Sequence, residues 1–101
     1  MAKVGKLAHR SIVRNDKPTW LLKLQMEIIH RYGDVEQEDT PTFWRGLEDF
    51  INSFLWDWAW NDGAPKIKSD IETKIVETAE RTELEILRNG KPIQTYYIQQ
   101  Q

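Results

Sequence analysis

The sequence predicts an α+β fold in which two helices precede a small antiparallel β-meander, built of three strands or of two strands with a third helix. Three observations lead there. Apolar residues recur at helical spacing between Lys17 and Tyr32 and again between Pro41 and Asn61. Arg88-Asn89-Gly90-Lys91 separates two runs rich in Ile, Leu, Thr and Tyr, and Asn-Gly is the preferred pair for a type I′ hairpin turn because both positions need φ > 0. Between helices and hairpin, six of positions 67–78 are Ile, Val or Thr, which favours a further strand.

The first helix is expected over residues 17–32. Asp16 can cap it, its carboxylate accepting hydrogen bonds from the free N–H groups of the first turn, and Pro18 is tolerated there. Leu21, Leu24, Ile28 and Tyr32 form one apolar stripe, and Leu22, Met26 and Ile29 a second beside it, so a broad apolar face is expected. Gly33 suits the position after the helix.

Thr40 followed by Pro41 marks the start of the second helix, which runs to about Asn61 before Asp62-Gly63 ends it. At about 100° per residue, Phe43, Leu47, Phe50, Ile51, Phe54 and Trp58 fall on one face, flanked by Trp44 and Leu55, and read as the core stripe. Trp56 and Trp60 lie on the opposite side, among Arg45, Asp49 and Asn52.

Residues 66–79 fit two patterns. Ile67, Ile71, Ile75 and Ala79 recur every four residues, and Ser69 with Glu72 could form a capping box; Ile67, Ser69, Ile71, Thr73 and Ile75 also share one face of a strand. The strand is preferred, since a lone two-stranded hairpin is marginally stable. The hairpin turn pairs Ile86 with Ile93 and Leu84 with Thr95.

A length of 101 residues allows one domain, here residues 17–101, preceded by a basic arm over 1–16. The absence of Cys excludes disulfides, Cys-ligated zinc and thiol chemistry, and favours a cytoplasmic setting over secretion. The most apolar run, Phe50 to Trp60, contains Asn52, Ser53 and Asp57 and falls short of the roughly 18 residues of a membrane span, so no membrane partner is expected.

A net charge of −2 conceals segregation. Residues 1–33 carry seven Lys/Arg against two acids, residues 34–62 eight acids against Arg45 alone, and residues 63–101 six of each. Such patterning bears on partners rather than on fold.

For catalysis the sequence offers little. His9 and His30 have no ligand spacing to one another, Ser11, Ser53 and Ser69 lack a nucleophile elbow, and the five glycines form no phosphate loop. An EF-hand starting at Asp34 fails, with Asp39 where Gly is required and Arg45 where Glu is required. The chain is therefore expected not to be an enzyme and to need no cofactor or metal.

The function expected is non-catalytic protein binding. A small inhibitor or adaptor, of the sort viruses encode, would use the acidic, Trp-bearing face of the second helix, with Trp56, Trp60, Arg45, Asp49, Asn52 and Asp57 as contacts. Asp34, Glu36, Glu38, Asp39 and Glu48 extend the acidic patch, although charge runs mainly serve solubility. The two indoles could equally be covered by a second copy of the chain, as a homodimer. The alternatives are nucleic-acid binding through Lys3, Lys6, Arg10, Arg14 and Lys17, a salt-sensitive phosphate contact, and a structural subunit of an assembly.

Overall fold

In a computed structural model that describes residues 4–12, 19–61 and 71–100, with the side chains of residues 58–61 and 100 excepted, the chain begins with a strand. The elements are β1 (Val4–Ser11), α1 (Thr19–Tyr32), β2 (Gln37–Glu38), α2 (Pro41–Asn61), β3 (Ile71–Glu77), β4 (Thr82–Arg88) and β5 (Lys91–Gln100). The strands form one sheet in the order β2-β1-β5-β4-β3, every neighbouring pair antiparallel. The expected order of two helices followed by a small meander is thereby corrected. The sheet is five-stranded among the described residues, and its first strand lies between β2 and β5.

The correction falls on the basic arm. Residues 5–11 pair with β5, from Gly5 opposite Gln100 to Ser11 opposite Gln94. Alternation along β1 sends Gly5, Leu7, His9 and Ser11 to one face and Lys6, Ala8 and Arg10 to the other. The strand escapes recognition because its inward face is largely polar. Ser11 Oγ donates to Gln94 Oε1 at 3.2 Å, His9 Nε2 and Gln25 Nε2 of α1 lie 2.7 Å apart, and the Gln94 amide donates to the Tyr96 hydroxyl. Gln94 is fully buried, and such a group is kept inside only by hydrogen bonds of this kind. Gly5 is where backbones come closest: a Cβ there would stand 2.2 Å from the Gln99 carbonyl oxygen.

Both helices bury their apolar faces against the same side of the sheet, in one cluster with Ile71, Leu84, Ile86, Ile93, Tyr96 and Ile98. On α1 the buried residues are Trp20, Leu21, Leu24 and Ile28. The second stripe, Leu22, Met26 and Ile29, does not join them. It faces outward, with Met26 71% exposed, so the buried face of α1 is narrower than expected. Asp16 and Pro18 lie outside the described residues.

The start of α2 is as the sequence implies. Thr40 Oγ1 accepts the Phe43 N–H at 3.2 Å, an N-cap, and Pro41 opens the helix. Its buried face is rotated from the expected one. Trp44, Leu47, Ile51 and Leu55 are buried, while Phe43, Phe50 and Phe54 are half-buried at the edge of the core. Tyr32 sets both Phe43 and Phe50 at edge-to-face angles, with centroids 5.9 and 6.0 Å away, and this contact with the end of α1 holds the phenylalanines at the margin. The side chain of Trp58 and the expected stop at Asp62-Gly63 lie outside the described residues.

The strand reading of the ambiguous segment holds at Ile71–Glu77; residues 66–70 lie outside the described residues. Asn89 and Gly90 have φ of 53° and 80°, as a type I′ turn requires. The hairpin register differs from expectation. Arg88 pairs with Lys91 and Leu87 with Pro92, but a bulge then places Ile86 opposite Gln94 and Leu84 opposite Tyr96. The extra residue, Ile93, joins the core, and the shift keeps Leu84, Ile86 and Tyr96 on the buried face. No helix among the described residues is long and apolar enough to cross a membrane.

Candidate functional site

The outer face of α2 carries the side chains expected to meet a partner. Arg45, Asp49, Asn52, Trp56 and Asp57 are all exposed, on the side of the helix away from Leu47, Ile51 and Leu55. Helical geometry puts Asp49, Asn52, Ser53 and Trp56 on neighbouring turns, and with Asp57 they line a shallow, open depression. Trp56 is 48% exposed, more than any other Trp whose side chain is described. The Trp60 side chain lies outside the described residues.

The acidic patch divides into two groups. Asp34, Glu36 and Glu38 are exposed around β2. Asp39 and Glu48 have structural partners: Asp39 Oδ1 accepts the Trp44 indole N–H at 2.6 Å, and Glu48 Oε2 accepts the Thr73 hydroxyl at 3.2 Å. The first is a short, charge-assisted bond that fixes Asp39 at the entry to α2, where a negative charge also complements the helix dipole.

Asp39 and Trp44 form part of a cleft that the sequence did not reveal. It lies between the start of α2 and the β3–β4 hairpin, has a volume of about 220 Å³, and is lined by Thr40, Pro41, Arg45, Ile75, Glu77 and Thr82 besides that pair. The α2 half was within reach of sequence reasoning, since a helix starting at Pro41 puts residue 44 one turn above Asp39. Its other wall depends on where the sheet places Ile75 and Glu77.

The basic residues are not gathered into one surface. Lys6 and Arg10 project from the outer face of the sheet, and the register sets Thr95 and Tyr97 of β5, then Glu85 and Glu83 of β4, beside them. Arg81 lies on the same side, 4.0 Å from the centroid of Tyr97 and bonded to Glu83 at 2.7 Å. Charges of both signs thus alternate across this face. Lys3, Arg14 and Lys17 lie outside the described residues.

The inward polar cluster of His9, Ser11, Gln25, Gln94 and Tyr96 is the other chemically distinct feature. Burial pushes the Tyr96 hydroxyl well above the ordinary tyrosine range, with the Gln94 hydrogen bond acting weakly in the opposite sense. Gln25 Oε1 is buried without a hydrogen-bond partner. No group of three His, Asp or Glu side chains placed to hold a metal ion occurs among the described residues. Comparison with protein families, with curated proteins and with solved structures finds no match.

Proposed function

We propose that the chain is a non-catalytic protein-binding module, an inhibitor or adaptor, that docks through the outer face of α2. The observation that carries this reading is the half-exposed Trp56 in a depression bounded by Asp49 and Asp57. An indole half exposed on the helix face away from the core leaves apolar surface in water, and Trp is among the residues most enriched at the energetic centres of protein interfaces. The flanking carboxylates favour a basic partner surface and speed encounter with it. A second copy of the chain is one candidate partner. The absence of Cys supports a cytoplasmic setting as part of the same proposal.

Nucleic-acid binding draws less support, because Lys6 and Arg10 share their sheet face with Glu83 and Glu85 rather than forming a stripe of one sign. The test compares the wild-type chain with Trp56→Ala, both immobilised and exposed to native host extract, after matching their melting curves. A protein retained by the first and lost by the second is the expected result. Equal retention by the two, or nothing retained by either, would overturn the proposal.

A further inference from the structure

The cleft at the start of α2 has the chemistry of a receptor for one basic side chain. We infer that it accepts a lysine or arginine offered by a partner protein, and so that it fixes the register of that partner on the α2 surface. The inference rests on the protein-binding reading for its partner but on separate residues for its site.

Size comes first. At about 220 Å³ the cleft is smaller than the roughly 300–1,000 Å³ typical of sites for drug-sized ligands and cofactors. It suits a single side chain.

Its walls suit a cation on an aliphatic stem. Pro41 and Ile75 supply apolar surface against which methylenes can lie, the buried Trp44 closes the back of the cleft, and Asp39 and Glu77 supply two carboxylates. Asp39 is held in place by the Trp44 indole N–H, which its Oδ1 accepts. An ionised carboxylate has about four acceptor positions, so it can still take an N–H donor from a guest.

The opposite reading, an anion on the helix N-terminus, finds few donors. Pro41 has no N–H, the Phe43 N–H is taken by Thr40 Oγ1, and the Trp44 N–H by the Thr40 carbonyl at 3.2 Å. Thr42 alone of the first four residues is left, and the Asp39 carboxylate repels a second anion there. Arg45 sits exposed at the rim, outnumbered by the two carboxylates. A bare divalent ion is also poorly served, since such ions take six or more oxygen ligands and the lining includes two carboxylates.

The Trp44 indole N–H, bonded to Asp39 inside the cleft, is a built-in reporter. The experiment titrates ¹⁵N-labelled protein with Nα-acetyl-arginine amide, Nα-acetyl-lysine amide and the neutral isostere Nα-acetyl-citrulline amide, and follows the indole resonances, with that of Trp44 assigned by Trp44→Phe. Saturable movement of the Trp44 signal by one or both cationic amides, on the order of millimolar affinity for so small a probe, and none by citrulline, is the expected result. Glu77→Gln, at an exposed strand position, should weaken binding about tenfold, the equivalent of one charge-assisted contact. A Trp44 signal that stays still, that moves equally with citrulline, or that responds unchanged in Glu77→Gln would overturn the inference. So would movement on concentrating the protein alone, which would give the cleft to a second copy. None of these outcomes bears on Trp56, whose role is read separately by the retention experiment.

Discussion

Adding one methyl group should have opposite effects at Gly5 and Gly46. At Gly5 a Cβ would lie 2.2 Å from the Gln99 oxygen, 2.8 Å from the Gln99 carbonyl carbon and 2.9 Å from Ile98 Cγ2. The obstacle is the backbone of β5, the central strand, which cannot rotate away as a side chain would. Gly5→Ala must therefore push β1 off β5 by about 1 Å or more, and overpacking of this kind costs roughly 1–3 kcal/mol. Fraying sets the ceiling: releasing the end of β1 gives up its pairing with Gln100 and with Gln37 of β2, at about 1 kcal/mol for each net hydrogen bond. The expected loss is about 2 kcal/mol. At Gly46, exposed within α2, nothing stands within 4 Å of the added carbon. Gly46→Ala should stabilise by roughly 0.5–1 kcal/mol through helix propensity and a less disordered unfolded chain. For a domain of this size each kcal/mol moves the melting temperature by roughly 4–8 °C, so the two variants should melt roughly 10–24 °C apart, on either side of wild type. Thermal unfolding followed by circular dichroism measures this directly. If Gly5→Ala melts within about 2 °C of wild type, β1 is not docked against β5 as described, and the basic arm expected over residues 1–16 is the better reading.

Tyr96→Phe leaves the buried Gln94 amide without its acceptor and should cost about 1–3 kcal/mol by urea unfolding; a neutral effect would show that the hydroxyl is not in the network. The raised Tyr96 pKa also predicts a pH effect. Its neutral form is favoured in the folded state, so this contribution is intact below the unfolded value of about 10 and declines as pH rises beyond it. Wild type should lose stability above about pH 10 more steeply than Tyr96→Phe, and parallel pH profiles would refute the assignment. Leu47→Ala, at a fully buried position of α2, should cost about 2–5 kcal/mol, whereas Trp56→Ala should cost within about 1 kcal/mol; comparable losses in a monomer would make Trp56 a core residue.

Legibility followed the range of the interactions that fix each feature. The start of α2 was readable because Thr40 and Pro41 act on the N–H groups of the turn that follows them. The Asn89-Gly90 turn was readable because positive φ is a property of those two residues alone. The outward placement of Arg45, Asp49, Asn52, Trp56 and Asp57 follows from the helical repeat once one apolar face is known. Finer detail was not local. Trp44 and Leu55 are buried against the sheet, while Phe43 and Phe50 lie at the margin against Tyr32 at the end of α1. The Ile93 bulge moved the hairpin by one residue, since only the register that buries Tyr96 opposite Leu84 closes the core.

The sequence by itself determined two amphipathic helices, a tight hairpin, the absence of thiol chemistry and an acidic outer helix face, all from residues near one another along the chain. Tertiary structure alone decided that the basic N-terminal segment is a strand inside the sheet. Its apolar content is low because His9 and Ser11 face Gln25 and Gln94, partners 16 and 83 residues away, so hydrogen bonds supplied by distant elements replace the hydrophobic pattern that would have announced it. The cleft beside α2 arose in the same way: Asp39 and Trp44 come from one end of a helix, Ile75 and Glu77 from an edge strand, and only the packing of helix on sheet brings an apolar wall and a second carboxylate to the first.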